Sequence, residues 1–210
     1  LRILLYSLGH VIFDIITVLT VNHQDKVPRV LNDLLHILFY AFSVMFIMAF
    51  YEYIVLQVAS IRMQKIAKVF KYIPAGVYAL TAYFFPIEYV KGNGTNYSYG
   101  PLVFIGYGAF VVYCLFCFIL VVANYRKLET HKKWALYPMM TIMIIVVMTQ
   151  AVVPELLMTS AGITFVCLGL FAVFNNPARE YREQVYWDMH PVFTRHAIWI
   201  FTTRRMRRCM

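Results

Sequence analysis

The chain has 210 residues, 61% hydrophobic and 14% charged, with a net charge of +9 and a mean hydropathy of +0.66. A soluble domain carries about a quarter charged residues, so an ordinary water-solvated fold is excluded and lipid must solvate much of this surface. The basic excess alternates between loops rather than forming one patch, which argues against nucleic acid as the partner.

Six continuously apolar stretches run near 3–21, 34–58, 69–87, 102–123, 136–153 and 155–174. About 20 helical residues cross a bilayer core, and the third and fifth stretches are the shortest fit. Backbone in lipid must satisfy its own hydrogen bonds, which leaves helices or a closed barrel. Barrel strands alternate polar and apolar residues over about ten positions; these stretches do not. The predicted fold is an all-α polytopic integral membrane bundle of six helices, with residues 1–175 as its membrane domain.

The first stretch carries His10 and Asp14, four residues apart and so on one helix face. Asp14 is placed near the bilayer centre by the helical rise, about 16 Å from the inner end. Glu52, on the oppositely running second helix, is placed about 9 Å from its inner end, close to the depth of His10. Charged groups at such depth are costly and face the bundle interior. His10, Asp14 and Glu52 are therefore the candidate polar cluster or ligand-binding residues, with helix orientation as the alternative role. No third ligand at helical spacing points to a metal, no cofactor is indicated, and no catalytic residues are assigned.

Asn32, Asp33 and His36 open the second stretch, where Asn32 or Asp33 suits a helix cap. The 59–68 segment, with Lys71 at its edge, reads as a basic loop. The 88–101 segment, with its glycines and Pro101, reads as a turn region. Cys114 and Cys117 have redox or zinc spacing but lie in an apolar helix with no second pair, so they read as small apolar residues. Pro74 and Pro138 suit first helical turns. Pro154 marks a tight hairpin, with Glu155 at the next helix start.

Orientation follows from the basic residues. Arg2, the 59–68 loop with Lys71, the 124–135 loop and everything after 174 hold 16 of the 19 Lys and Arg; the opposite side has Lys26, Arg29 and Lys91. Short basic loops stay cytoplasmic. The prediction is a multi-pass protein of the cell (inner) membrane with both termini cytoplasmic.

After the last stretch, Asn176 caps a new helix and Pro177 suits its first position. Ala178, Tyr181, Val185 and Met189 form a short apolar seam, as in a coiled-coil connector. This 176–190 connector is under two heptads and predicts a homodimer partner rather than holding one alone. The basic tail 191–210 places Ile198, Trp199, Ile200 and Phe201 beside Arg204, Arg205, Arg207 and Arg208, a composition suited to an anionic membrane surface.

The segment Asn175-Asn176-Pro177 through Asp188 resembles the junction of bacterial GGDEF diguanylate cyclases, where an Asn-Pro-initiated helix joins a multi-helix membrane sensor to an Asp that opens the catalytic domain. Asp188 matches that Asp. The resemblance covers most of 1–188 in layout, and about fifteen residues specifically. It implies a membrane input module that signals through Asn176, Pro177, Tyr181, Val185 and Asp188 in response to an unknown small ligand. The family's seven-helix layout has one more span before Leu1, so the chain is expected to be a fragment. After Asp188 the sequence departs from the family: the Thr-Gly turn is missing, no Gly follows Gly169, and no Gly-Gly pair exists. Cyclase activity is thus not expected in this chain, and 191–210 reads as a degenerate remnant of an output domain. The second reading is a small transporter or channel subunit, whose ionisable residues would recur at matched depth in both halves; here only the first half carries them. A membrane enzyme ranks third, for want of a nucleophile–base pair.

Overall fold

The structure, a computed structural model, describes residues 2–126, 128, 130–156 and 158–174. The chain divides into two compact units, Leu1–Leu170 and Phe171–Met210. Of the second, only residues 171–174, at the end of a helix, are among those described.

The fold is mostly helical. Helices α1 (Arg2–Asn22), α2 (Arg29–Val58) and α5 (Pro101–Ala123) are each long and apolar enough to cross a bilayer, which marks the chain as a membrane protein. Shorter helices are α3 (Ile61–Phe70), α4 (Ile73–Phe84), α6 (Thr130–Val152) and α7 (Thr159–Phe174). One antiparallel hairpin, β1 (Glu88–Val90) with β2 (Tyr97–Tyr99), pairs Tyr89 with Ser98 and occupies the segment expected to be a plain turn.

Helix α2 is the central post, packed by α1, α3, α4 and α5. Its Phe46, Ile47, Phe50 and Ile54 are fully buried, as are Tyr113, Cys114 and Cys117 of α5. Both cysteines are free, as expected of small buried residues. On α1, by contrast, Leu4, Leu5, Leu8, Ile12, Ile15 and Leu19 stay exposed at helical spacing. Such a stripe is costly in water and costs nothing against acyl chains.

Several boundaries differ from those read in the sequence. Within the 69–87 stretch α3 ends at Phe70 and α4 follows with twelve residues, about 18 Å of helix. Phe85 precedes Pro86 and takes an extended conformation (φ −115°, ψ 126°), as a residue before proline is pushed to do, and the helix stops there. The neighbouring 59–68 loop is instead largely α3, a separate helix whose Ala67 is buried while Lys65 and Lys68 are exposed. Pro74 does sit in the first turn of α4. Pro138 does not: α6 begins eight residues earlier, in the charged segment that the apolar count had excluded, so this proline is interior.

Helix α2 starts at Arg29, behind an extended Pro28, and no side chain caps it. Asn32 and Asp33 are already inside the helix, and their side chains are spent elsewhere: Asn32 Oδ1 accepts from Thr20 at 2.8 Å, and Asp33 Oδ1 accepts from Tyr89 at 2.7 Å. Pro154 lies in the turn between α6 and α7, as expected. Glu155 precedes the start of α7 by four residues and accepts the Asn93 backbone N–H at 3.2 Å instead of facing the helix dipole. At the head of α5, Pro101 occupies the first position, and the chain enters through Gly100 at φ +116°, which only glycine adopts without strain.

Candidate functional site

His10 is fully buried between α1 and α2. Its Nδ1 shares a hydrogen bond with Ser43 Oγ at 2.8 Å, and its ring stacks on Phe39 with centroids 4.6 Å apart. Its Nε2 has no partner among the described residues. One turn further along α1, the Asp14 carboxylate accepts the Ser160 hydroxyl of α7. Asp14 thus links the first and last described helices, as does Ser7 of α1 through its hydrogen bond with Cys167 of α7.

Glu52 stands apart from both. Its Oε2 accepts from Lys71 Nζ at 2.8 Å, at the α3–α4 junction. Glu52 is nine residues from Ser43, the α2 partner of His10, a separation of about 13 Å along the helix. Matching His10 to Glu52 assumed that the two helices end at one level. Helix α2 has 30 residues against 21 for α1, and the Thr20–Asn32 and His10–Ser43 contacts put the excess at the C-terminal end of α2, beyond the start of α1. Depth counted from each helix's own end was therefore misaligned.

From His10 toward the C-terminal end of α1 a second set of polar groups gathers, from five elements. Asp14 and Thr17 of α1, His36 and Tyr40 of α2, Tyr107 of α5, Gln150 of α6 and Ser98 of β2 line a cavity of about 30 Å³. That is room for one water molecule. Tyr40 shares a hydrogen bond with Ser98 Oγ at 2.8 Å, and Tyr107 lies edge-on to Tyr40 and against Gln150. Gln150 Oε1 accepts the Thr159 backbone N–H at 2.8 Å and the Thr159 hydroxyl, which closes the α6–α7 turn. Thr17 Oγ1 donates to the Asp14 carbonyl at 2.9 Å. Each helix around the cavity therefore meets a neighbour through a polar side chain, and the cluster fixes their relative depth. Sequence reasoning missed Tyr40, Tyr107 and Gln150. A tyrosine or a single Gln inside an apolar stretch carries no periodic signal.

The hairpin roofs this cavity. Asn96 Nδ2 donates to the Val21 carbonyl at 3.0 Å, and the Asn96 N–H donates to Asn22 Oδ1 at 2.9 Å. Tyr89 donates to Asp33 and meets His36 edge-on at 5.2 Å. Burial and then the adjacent Asp33 carboxylate hold the Tyr89 phenol well above its ordinary range. Among the described residues no three His, Cys, Asp or Glu side chains are placed to hold a metal. Asn176, Pro177, Tyr181, Val185 and Asp188 lie outside the described residues. Comparison with protein-family models, curated proteins and solved structures finds no match to the chain.

Proposed function

We propose that this chain is the membrane-embedded input module of a bacterial signal-transduction protein of the diguanylate cyclase kind. In this reading it crosses the inner membrane six times, with the 69–87 stretch that holds α4 as the third pass and both termini cytoplasmic. The observation that carries the reading is the Asp14–Ser160 bond. It ties the polar core to α7, and α7 runs toward the segment whose Asn176-Pro177…Asp188 sequence resembles a cyclase connector. A ligand that favours one packing of the core shifts α7, and the connector passes that shift to a second copy of the chain. The shift is only as large as the ligand's unequal affinity for the two packings.

The alternative, a small transporter or channel subunit, has weaker support. Inward of the polar core, α2 offers the fully buried Phe46, Ile47, Phe50 and Ile54 rather than a polar route.

The test is a fusion of the chain to a working diguanylate cyclase domain, reading cyclic dinucleotide output in cells. Asp14→Asn and Ser160→Ala are expected to shift the basal output at unchanged expression. Constant output across both variants, together with solute flux in proteoliposomes, would overturn the sensor reading.

A further inference from the structure

A second cavity of about 520 Å³ opens between the α1–α2 turn and the hairpin, lined by Gln24, Val27, Arg29, Asn32, Glu88 and Tyr89. Its size is within the roughly 300–1,000 Å³ of small-molecule sites. Two features set it apart from an ordinary surface groove.

The first is its charge. Arg29 comes from the start of α2 and Glu88 from β1, so the opposite charges sit on two different walls. They do not pair with each other: Lys71–Glu52 is the only ion pair among the described residues. Both side chains are exposed and free to meet a ligand. The second is Asn32, which is only 2% exposed yet lines the cavity. Its Oδ1 takes the Thr20 hydroxyl, which fixes the amide at the cavity wall.

We infer that this cleft binds a small zwitterion of the amino-acid type, its carboxylate on Arg29 and the Asn32 amide, its ammonium on Glu88. Arginine suits a carboxylate because its planar fork presents two parallel donors. A ligand with only one charge leaves the opposite wall unanswered, so the cleft selects for both. Tyr89, anchored on Asp33, fixes the hairpin wall against α2. From Asn32 the hydroxyls of Thr20 and Thr17 lead along α1 to the Asp14 carbonyl. The inference names a ligand class for the proposed sensor and rests on that reading for its consequence, though not for the binding itself.

The test uses the full chain in lipid nanodiscs, titrated calorimetrically with the common amino acids one at a time. At least one is expected to saturate. Its decarboxylated amine and its deaminated acid are each expected to bind at least about tenfold more weakly. Arg29→Gln and Glu88→Gln should each weaken binding about tenfold while thermal unfolding is unchanged, since both side chains lie outside the core. The inference is overturned if no amino acid saturates, if either single-charge analogue binds equally well, or if both variants bind like the parent chain. Binding that survives these checks but leaves the output of the cyclase fusion unmoved upholds the cleft and overturns the sensor reading.

Discussion

Ser160 of α7 donates its hydroxyl to the carboxylate of Asp14 on α1, joining residues 146 positions apart. Interhelical bonds of this kind in membrane proteins average about 0.6 kcal/mol and reach about 1.7 kcal/mol. A carboxyl acceptor puts this one above that average. Ser160→Ala and Asp14→Ala should therefore show a coupling energy of about 1 kcal/mol in a double-mutant cycle of unfolding in mixed micelles. Additive losses would mean that the bond contributes nothing.

The Lys71–Glu52 pair should respond asymmetrically. The Lys71 side chain is 10% exposed and that of Glu52 35%. Glu52→Leu strands a nearly buried ammonium and is expected to cost about 2 kcal/mol, below the 3–5 kcal/mol of a sealed pair because the site is partly wet. Lys71→Met leaves a carboxylate that can rehydrate, at about 1 kcal/mol. The double variant should recover most of the loss. Equal single losses, read from denaturant midpoints, would contradict the difference in burial.

Gly9 is a close approach between α1 and α2. A Cβ there would lie 2.4 Å from Phe42 Cε1 and 2.5 Å from Phe42 Cδ1, and Phe42 is itself stacked on Phe13 at 5.2 Å. Gly9→Ala should cost about 1–3 kcal/mol by overpacking. Gly108→Ala on α5 meets nothing within 4 Å. It should be neutral or stabilise by up to about 1 kcal/mol through helix propensity. Thermal unfolding of the two variants in one detergent provides the comparison.

Tyr89 predicts an alkaline weakness. Its ordinary pKa of 10.0 applies in the unfolded chain, while burial and Asp33 raise it in the fold. The folded state thus holds the proton more tightly. Its contribution is complete below pH 10 and is lost as pH rises from there toward the folded value. Tyr89→Phe should flatten that alkaline limb and lower stability at neutral pH by about 1.5–3 kcal/mol, the range for a hydrogen bond to a charged group. Unfolding midpoints between pH 8 and 11 check both effects.

The apolar stretches for α1, α2 and α5 were legible because lipid imposes a length and a composition that residues report one by one. What the stretches hid was local chemistry. Pro86 ended α4 through the conformation it forces on Phe85, and a charged run before Leu136 turned out helical because hydropathy does not measure helix formation. The site was half legible. His10 and Asp14 announced themselves as polar groups in an apolar run and do lie on the α1 side of the polar region. Glu52 was assigned the wrong neighbour because sequence gives distance along a helix but not the slide of one helix on another. Tyr40, Tyr107 and Gln150 matter only through the convergence of α2, α5 and α6, which no single stretch encodes.

The hairpin has three residues in each strand, too few to persist unaided. Its order is borrowed from Asn22 and Val21 on α1 and from Asp33 and Tyr40 on α2. Backbone amides of β1 and β2 should therefore exchange with solvent at a rate set by how closely those two helix ends keep step. The smallest element of the fold is thus a gauge of its helix packing: any relative slide of α1 on α2 would be read first as lost protection in six residues.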